Sequence, residues 1–237
     1  MSGARVLVVG ATGVLGGLAA RELRDRGAVL ALAGRDAGVL GERAAGLGGR
    51  PRRRIDAYDL DRCAGLAAWA RGELGGLDGV LVAVGVAAFG MTREIPDAVA
   101  EHLVTVNYLC PAAVLRGAVA EVEPGGFLAA VTGAVVEAPM RSMADYAAAK
   151  SALACWLGVL AREVRGPGGR GLRVLDVRPP HLDTGFSDRP VAGRAPSLPP
   201  GADPDEAARE LVDRLEGRRS GPVDHGPVRG PDPSRPG

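Results

Sequence analysis

Short apolar runs rich in Val, Leu and Ala alternate with longer stretches of helical periodicity, and this alternation constrains the fold more than any other feature. Runs at 5–9, 28–33, 53–58, 77–84, 127–131 and 172–177 have the length and composition of strands. A strand apolar on both faces belongs inside a sheet covered on both sides, the usual setting of a parallel strand. Helical segments at 15–26, 37–47, 62–74, 96–122 and 144–164 lie between the runs. Right-handed crossovers then predict an α/β, Rossmann-like doubly wound parallel sheet of about six strands, with helices on both faces. A short C-terminal amphipathic helix near 204–218 follows. Residues 1–219 read as one domain, and 220–237 are too polar and Pro-rich to bury a core, which predicts a disordered tail.

Composition narrows the partners. Hydrophobic residues make up 46% of the chain but aromatics only 3%, so the core must be packed from small aliphatic side chains. A net charge of +1 gives no reason to expect nucleic acid or an anionic membrane as partner. The apolar runs read as shorter than a membrane span, and the first residues carry no basic-then-apolar leader. Cys63, Cys110 and Cys155 are odd in number, widely spaced and without ligand spacing. Neither a disulfide framework nor a metal site is expected from them, and a cytoplasmic location is. Arginine supplies nearly all the positive charge: Lys150 is the only lysine, Asn107 the only asparagine, and there is no glutamine. Under that bias, a surviving lysine or asparagine marks a place where arginine or aspartate would not serve.

The stretch Gly10-Ala-Thr12-Gly13-Val14-Leu15-Gly16 follows the first strand and opens the first helix. Glycines there permit a tight turn and close backbone approach to a pyrophosphate, which the helix N-terminus attracts. The end of the second strand reads Gly34-Arg35-Asp36. An arginine there accommodates a ribose 2′-phosphate, so NADP(H) is expected over NAD(H), with Asp36 a complication. Further on, Tyr146 and Lys150 stand at i and i+4, one turn apart on one helix face. A phenol with a pKa near 10 is a poor acid or base at pH 7, and a fixed ammonium beside it lowers that value.

With Tyr-x-x-x-Lys in place, the chain resembles the short-chain dehydrogenase/reductase family from about Arg5 to Thr184. The resemblance implies that Tyr146 exchanges a proton with substrate, while Lys150 lowers its pKa and holds the nicotinamide ribose. It places Asn107 as a catalytic residue positioning a water, and Asp59-Leu60 beside the adenine. Ala83 and Gly85 would line the cofactor site after the fourth strand. Arg178-Pro179-Pro180-His181-Leu182-Asp183-Thr184 resembles the segment that closes over the nicotinamide, with Pro179, Leu182 and Thr184 in contact and Pro180 in place of glycine. The implied activity is NADP(H)-dependent reduction of a carbonyl or oxidation of an alcohol.

The chain departs from the family pattern in ways that bear on this. Residue 133, where the family carries a serine, is Gly. The adjacent Thr132 would serve as the catalytic hydroxyl if the strand end twists or bulges; Ser142 lies in the connecting loop. The Gly-x-x-Gly-x-x-Gly spacing is similar to that of extended and atypical branches, and Val82-Ala83-Val84-Gly85 replaces Asn-Asn-Ala-Gly. No last strand follows the C-terminal helix, so a homodimer through the long helices near 97–122 and 144–164 is expected. Residues 181–200 read as a mobile lid, with His181 a solvated loop residue. A non-redox isomerase, dehydratase or cyclase, or a catalytically silent NADP(H)-binding protein, stays open as an alternative.

Overall fold

A computed structural model of the protein describes residues 1–165 and 168–218. The stretch 220–237, expected to form a tail, lies outside the described residues. Six strands, β1 (Arg5–Val9), β2 (Val29–Gly34), β3 (Arg52–Arg54), β4 (Gly79–Val82), β5 (Phe127–Val131) and β6 (Arg173–Val177), form one sheet in the order β3-β2-β1-β4-β5-β6. Every pairing is parallel. This is the Rossmann-like doubly wound sheet that the alternation of runs predicts.

The helices are α1 (Val14–Asp25), α2 (Ala37–Gly46), α3 (Leu60–Ala64), α4 (Leu66–Leu74), α5 (Asp97–Val104), α6 (Cys110–Ala118), α7 (Ala144–Glu163) and α8 (Pro204–Leu215). Side chains alternate across each strand. Leu7 and Val9 of β1 therefore meet Leu66, Val114 and Leu157 of α4, α6 and α7, whereas Val6 and Val8 share the other core with Leu23, Leu40 and Leu215 of α1, α2 and α8. The helix expected over 62–74 is divided at Gly65, where α3 ends and α4 begins. The one expected over 96–122 contains a π turn, Thr105–Leu109, between α5 and α6. Together these make a helix, Asp97–Ala118, long and apolar enough to cross a membrane by length and composition, contrary to the expectation of shorter apolar runs; half of it is buried inside the fold. Its apolarity is explained by packing against the sheet. The fold also joins what the sequence separates: the Cys63 and Cys110 sulfurs, both buried and free, lie 3.7 Å apart between α3 and α6.

Candidate active site

The strand order reverses between β1 and β4, and the glycine turn sits in the crevice this creates, beyond their C-terminal ends. Gly10 has φ +92°, and a Cβ there would lie 2.7 Å from the carbonyl of Ala83. A Cβ on Gly16 would lie 2.3 Å from the Gly10 oxygen. Backbone thus stacks on backbone with no room for a side chain. No side chain caps α1 at Gly13, so its positive end opens toward the crevice. Thr12 turns the other way, its methyl lying where a Cβ on Gly34 would be.

A cavity of about 480 Å³ runs from Gly13, Val14, Leu15 and Gly16 to Tyr146 and Lys150. Ala83, Gly85, Thr132, Pro179, Leu182 and Thr184 also line it. Gly10 and Thr12 lie beneath the turn, and Asn107 stands behind Gly85. Arg35, Asp59 and Leu60 lie away from the cavity. Asp59 caps α3, accepting from the Arg62 amide at 3.0 Å, and Leu60 packs on the core. Asp36 is likewise consumed as the cap of α2, accepting from the Val39 amide at 2.9 Å. That removes the complication beside Arg35, which is exposed at the end of β2. Gly34 pairs with Arg54 across β2 and β3, and the Arg54 Nε donates to the Arg35 carbonyl at 3.2 Å. Neither arginine has a carboxylate partner among the described residues. Arg54 escapes a sequence reading because Arg52-Arg53-Arg54 shows only as a weak strand; its register against β2 gives it its place.

Tyr146 lies in the first turn of α7. Its ring is held between two apolar clusters, one containing Phe89 and Met143, the other Ala88, Leu103 and Ala149. Its hydroxyl has no hydrogen-bond partner among the described residues, and burial pushes its pKa up to about 12. Lys150, one turn on, is 3% exposed. Its ammonium donates to the carbonyls of Val131 (3.0 Å) and Val84 (3.4 Å), the ends of β5 and β4. Burial lowers its pKa to about 8, with the charge of Asp176 opposing the change. A Cβ on Gly85 would sit 3.1 Å from both the Lys150 Nζ and the Asn107 Oδ1, so glycine is what allows the two side chains to converge. Asn107 lies on the π turn, and its amide exchanges two 3.0 Å hydrogen bonds with the backbone of Val86. It fastens the loop after β4 to the long helix.

The end of β5 corrects one expectation. It does bulge: the amides of Thr132 and Gly133 both donate to the Val177 carbonyl, at 2.9 and 3.3 Å. Yet the Thr132 hydroxyl donates to the buried Asp176 carboxylate, which also receives Arg178 at 2.6 and 2.8 Å. Its one proton is spent below the cavity, and it is not delivered to Tyr146. Gly133 has φ +98°, a conformation that disfavours any side chain at the family's serine position. Ser142 also stands at positive φ (68°); its carbonyl accepts from the Gly90 amide at 2.9 Å, and its hydroxyl leans on Met91. Thr132→Val is therefore expected to lower unfolding free energy by about 1–3 kcal/mol while changing kcat less than threefold, since it strips a partner from a buried carboxylate. Urea denaturation and steady-state kinetics check both; a hundredfold loss of kcat at unchanged stability would return Thr132 to the reacting atoms.

The segment expected to form a lid makes backbone hydrogen bonds to the loop after β4 and between its own ends. The Val191 amide donates to Ala87 (2.8 Å), that of Phe89 to Ala192 (3.0 Å), and that of Ala202 to His181 (2.8 Å). Side chains of this segment that face the cavity include His181, Phe186 and Leu198. The His181 ring has no partner among the described residues.

A parallel doubly wound sheet, an uncapped helix behind a glycine turn, and a Tyr–Lys pair in one cavity define a Rossmann-class protein. A family model described as short chain dehydrogenase matches residues 4–193, and the chain belongs to that family. Solved structures agree. A dehydrogenase/reductase from Sinorhizobium meliloti 1021 superimposes with a TM-score of 0.76 at 27% identity, over 91% of this chain and 88% of that one. A short chain dehydrogenase from Burkholderia cenocepacia J2315 in complex with NADP gives 0.79 at 24% identity, over 90% and 91%. Actinorhodin polyketide ketoreductase with NADPH gives 0.76 at 20%, over 91% and 92%; these last two likenesses are of fold alone. No protein of curated function matches the sequence.

Proposed function

We propose that the protein is an NADP(H)-dependent oxidoreductase that reduces a carbonyl or oxidises an alcohol, with Tyr146 as acid and base. One observation carries this reading: the unpartnered Tyr146 hydroxyl, the Lys150 ammonium and the open N-terminus of α1 face one cavity. The glycine turn leaves space for a pyrophosphate against the backbone of Gly13, Val14, Leu15 and Gly16. Two NADP-bound neighbours in the same fold support the choice of cofactor. When bound, the nicotinamide supplies the hydride, and in its oxidised form a positive charge.

The side chains do the rest. Tyr146 gives its proton to the substrate oxygen in reduction and removes it in oxidation. Burial alone holds the phenol too weak an acid for this work, so the positive charge of Lys150 on the same helix face is what would make the proton available. Lys150, seated on the Val84 and Val131 carbonyls, would hold the nicotinamide ribose with its remaining donor. Asn107 positions Lys150 and the water beside it by holding the Gly85–Val86 backbone. Pro179, Leu182 and Thr184, which line the cavity, would flank the nicotinamide and exclude water there. Beyond the cavity, Asp59 and Leu60 at the start of α3 would bound the adenine side, and Arg35, joined by Arg54, would receive the 2′-phosphate. Each charge-assisted contact is worth about 1.5–3 kcal/mol, so Arg35→Ser is expected to weaken NADPH binding by about tenfold or more. NADH binding should stay within twofold. Calorimetric titration with both nucleotides checks this, and an equal loss for the two would remove the arginine from 2′-phosphate recognition.

We also propose a cytoplasmic homodimer through α5–α6 and α7, where Val104, Leu109 and Val159 are exposed. The commitment of Thr132 to Asp176 favours a second reading, in which Tyr146 catalyses an isomerisation, dehydration or cyclisation without hydride transfer. NADPH oxidation followed at 340 nm across a panel of ketones and aldehydes tests the first reading. Product formed at constant nicotinamide absorbance supports the second.

A further inference from the structure

We infer, resting on the oxidoreductase reading above, that this site takes a carbonyl compound with a flexible apolar body, and discriminates against sugars. The wall beyond the Tyr146 hydroxyl consists of Phe89, Val135, Met140, Met143, Phe186 and Leu198. Four of these, Phe89, Val135, Met143 and Leu198, belong to the cluster that clamps the tyrosine ring, so the apolar surface begins at the reacting hydroxyl itself. No aspartate or glutamate lines the cavity among the described residues.

The polar groups that do line it are mostly spent. The Lys150 ammonium is turned to Val84 and Val131, and the Thr132 hydroxyl to Asp176. Arg189, at the rim, places Nε on the Gly185 carbonyl at 3.0 Å and Nη2 on that of Thr184 at 3.1 Å. The Thr184 hydroxyl oxygen accepts from the Phe186 amide at 3.3 Å. Tyr146, His181 and Ser187 remain, with the Thr184 hydroxyl proton and the outer N–H groups of Arg189 at the rim: enough to hold one carbonyl, but set against a wall of six large apolar side chains on which most hydroxyls of a sugar would be buried unpaired. At the mouth, Met140 is 41% and Phe186 38% exposed, large apolar side chains that an apolar substrate would cover. The two methionines are unbranched and adapt to more than one shape, which suits a flexible chain better than a rigid ring.

The test compares 2-alkanones from 2-butanone to 2-decanone with fructose, all with NADPH. Each buried methylene is expected to raise kcat/KM about fourfold until the cavity is filled. Fructose should not react. A binding arm uses 2-decanol with NADPH, a pair that cannot react, read by calorimetry on wild type, Met140→Glu and Phe186→Asp. Both positions are exposed at the mouth, so both variants keep the core intact; each is expected to weaken 2-decanol binding at least tenfold and leave NADPH binding within twofold. Tight 2-decanol binding without turnover of any ketone supports this inference and overturns the oxidoreductase reading. Turnover of fructose equal to that of 2-decanone, or a kcat/KM that does not rise with chain length, overturns the inference and leaves the oxidoreductase reading standing. Absence of both binding and turnover overturns both.

Discussion

Tyr146→Phe is expected to lower kcat by about 10²–10⁴-fold, the range that loss of a positioned acid–base group produces. The same change should leave the protein folded and NADPH affinity within twofold. The reason lies in the surroundings of the ring. The hydroxyl has no hydrogen-bond partner among the described residues, so its removal orphans nothing, and the ring keeps its contacts in two apolar clusters. Stability should therefore stay level or rise slightly. Thermal denaturation, nucleotide titration and single-turnover kinetics separate these effects. A variant that melts early and loses NADPH would show that the tyrosine is structural, and one with unchanged kcat would remove it from the mechanism.

Lys150→Met should lower kcat at least a hundredfold and weaken NADPH, because it removes both the charge beside the phenol and the donor to the ribose. It also carries a signature that a merely structural lysine would lack. Burial holds the folded-state pKa near 8, below the 10.5 of an unfolded lysine. Below pH 8 both states carry the proton, and the folded protein bears the full cost of a buried charge. Between about pH 8 and 10.5 the folded state releases the proton first, so the unfolded state binds more protons and stability rises with pH. The slope reaches up to about 1.4 kcal/mol per pH unit. Subtracting the Lys150→Met variant cancels other groups that titrate there. Urea denaturation of both proteins from pH 7 to 10 should show the wild type gaining on the variant; a flat difference would mean that the ammonium is solvated.

Much of this was legible in the residues because it depends on local pattern. The bounds of β1 and β5 coincide with the expected apolar runs, since a buried parallel strand needs little more than a short stretch of Val, Leu and Ala. Lys150 and Asn107 stood out against an arginine-rich chain and converge on either side of Gly85. What stayed hidden depends on register and long-range pairing. Thr132 could be seen to need a bulge, but its capture by Asp176 follows from the β5–β6 register, and Asp176 had no signature of its own. Arg54 reaches Arg35 only through the pairing of β2 and β3. The break at Gly65 and the π turn around Asn107 are set by how α3, α4 and α6 pack. Cys63 and Cys110 are distant in sequence, and only the packing of α3 on α6 brings their sulfurs together.

The claim on which the rest depends is that a hydride moves beside Tyr146. NADPH carrying deuterium at C4 in one or the other stereochemical position, incubated with the protein and 2-decanone, tests it directly by mass spectrometry of the 2-decanol formed. The account predicts one deuterium at the carbinol carbon from one of the two labelled cofactors and none from the other, with that single signal falling at least a hundredfold in rate in Tyr146→Phe. Product that forms from a ketone substrate with no deuterium from either cofactor, or at undiminished rate in Tyr146→Phe, would contradict it.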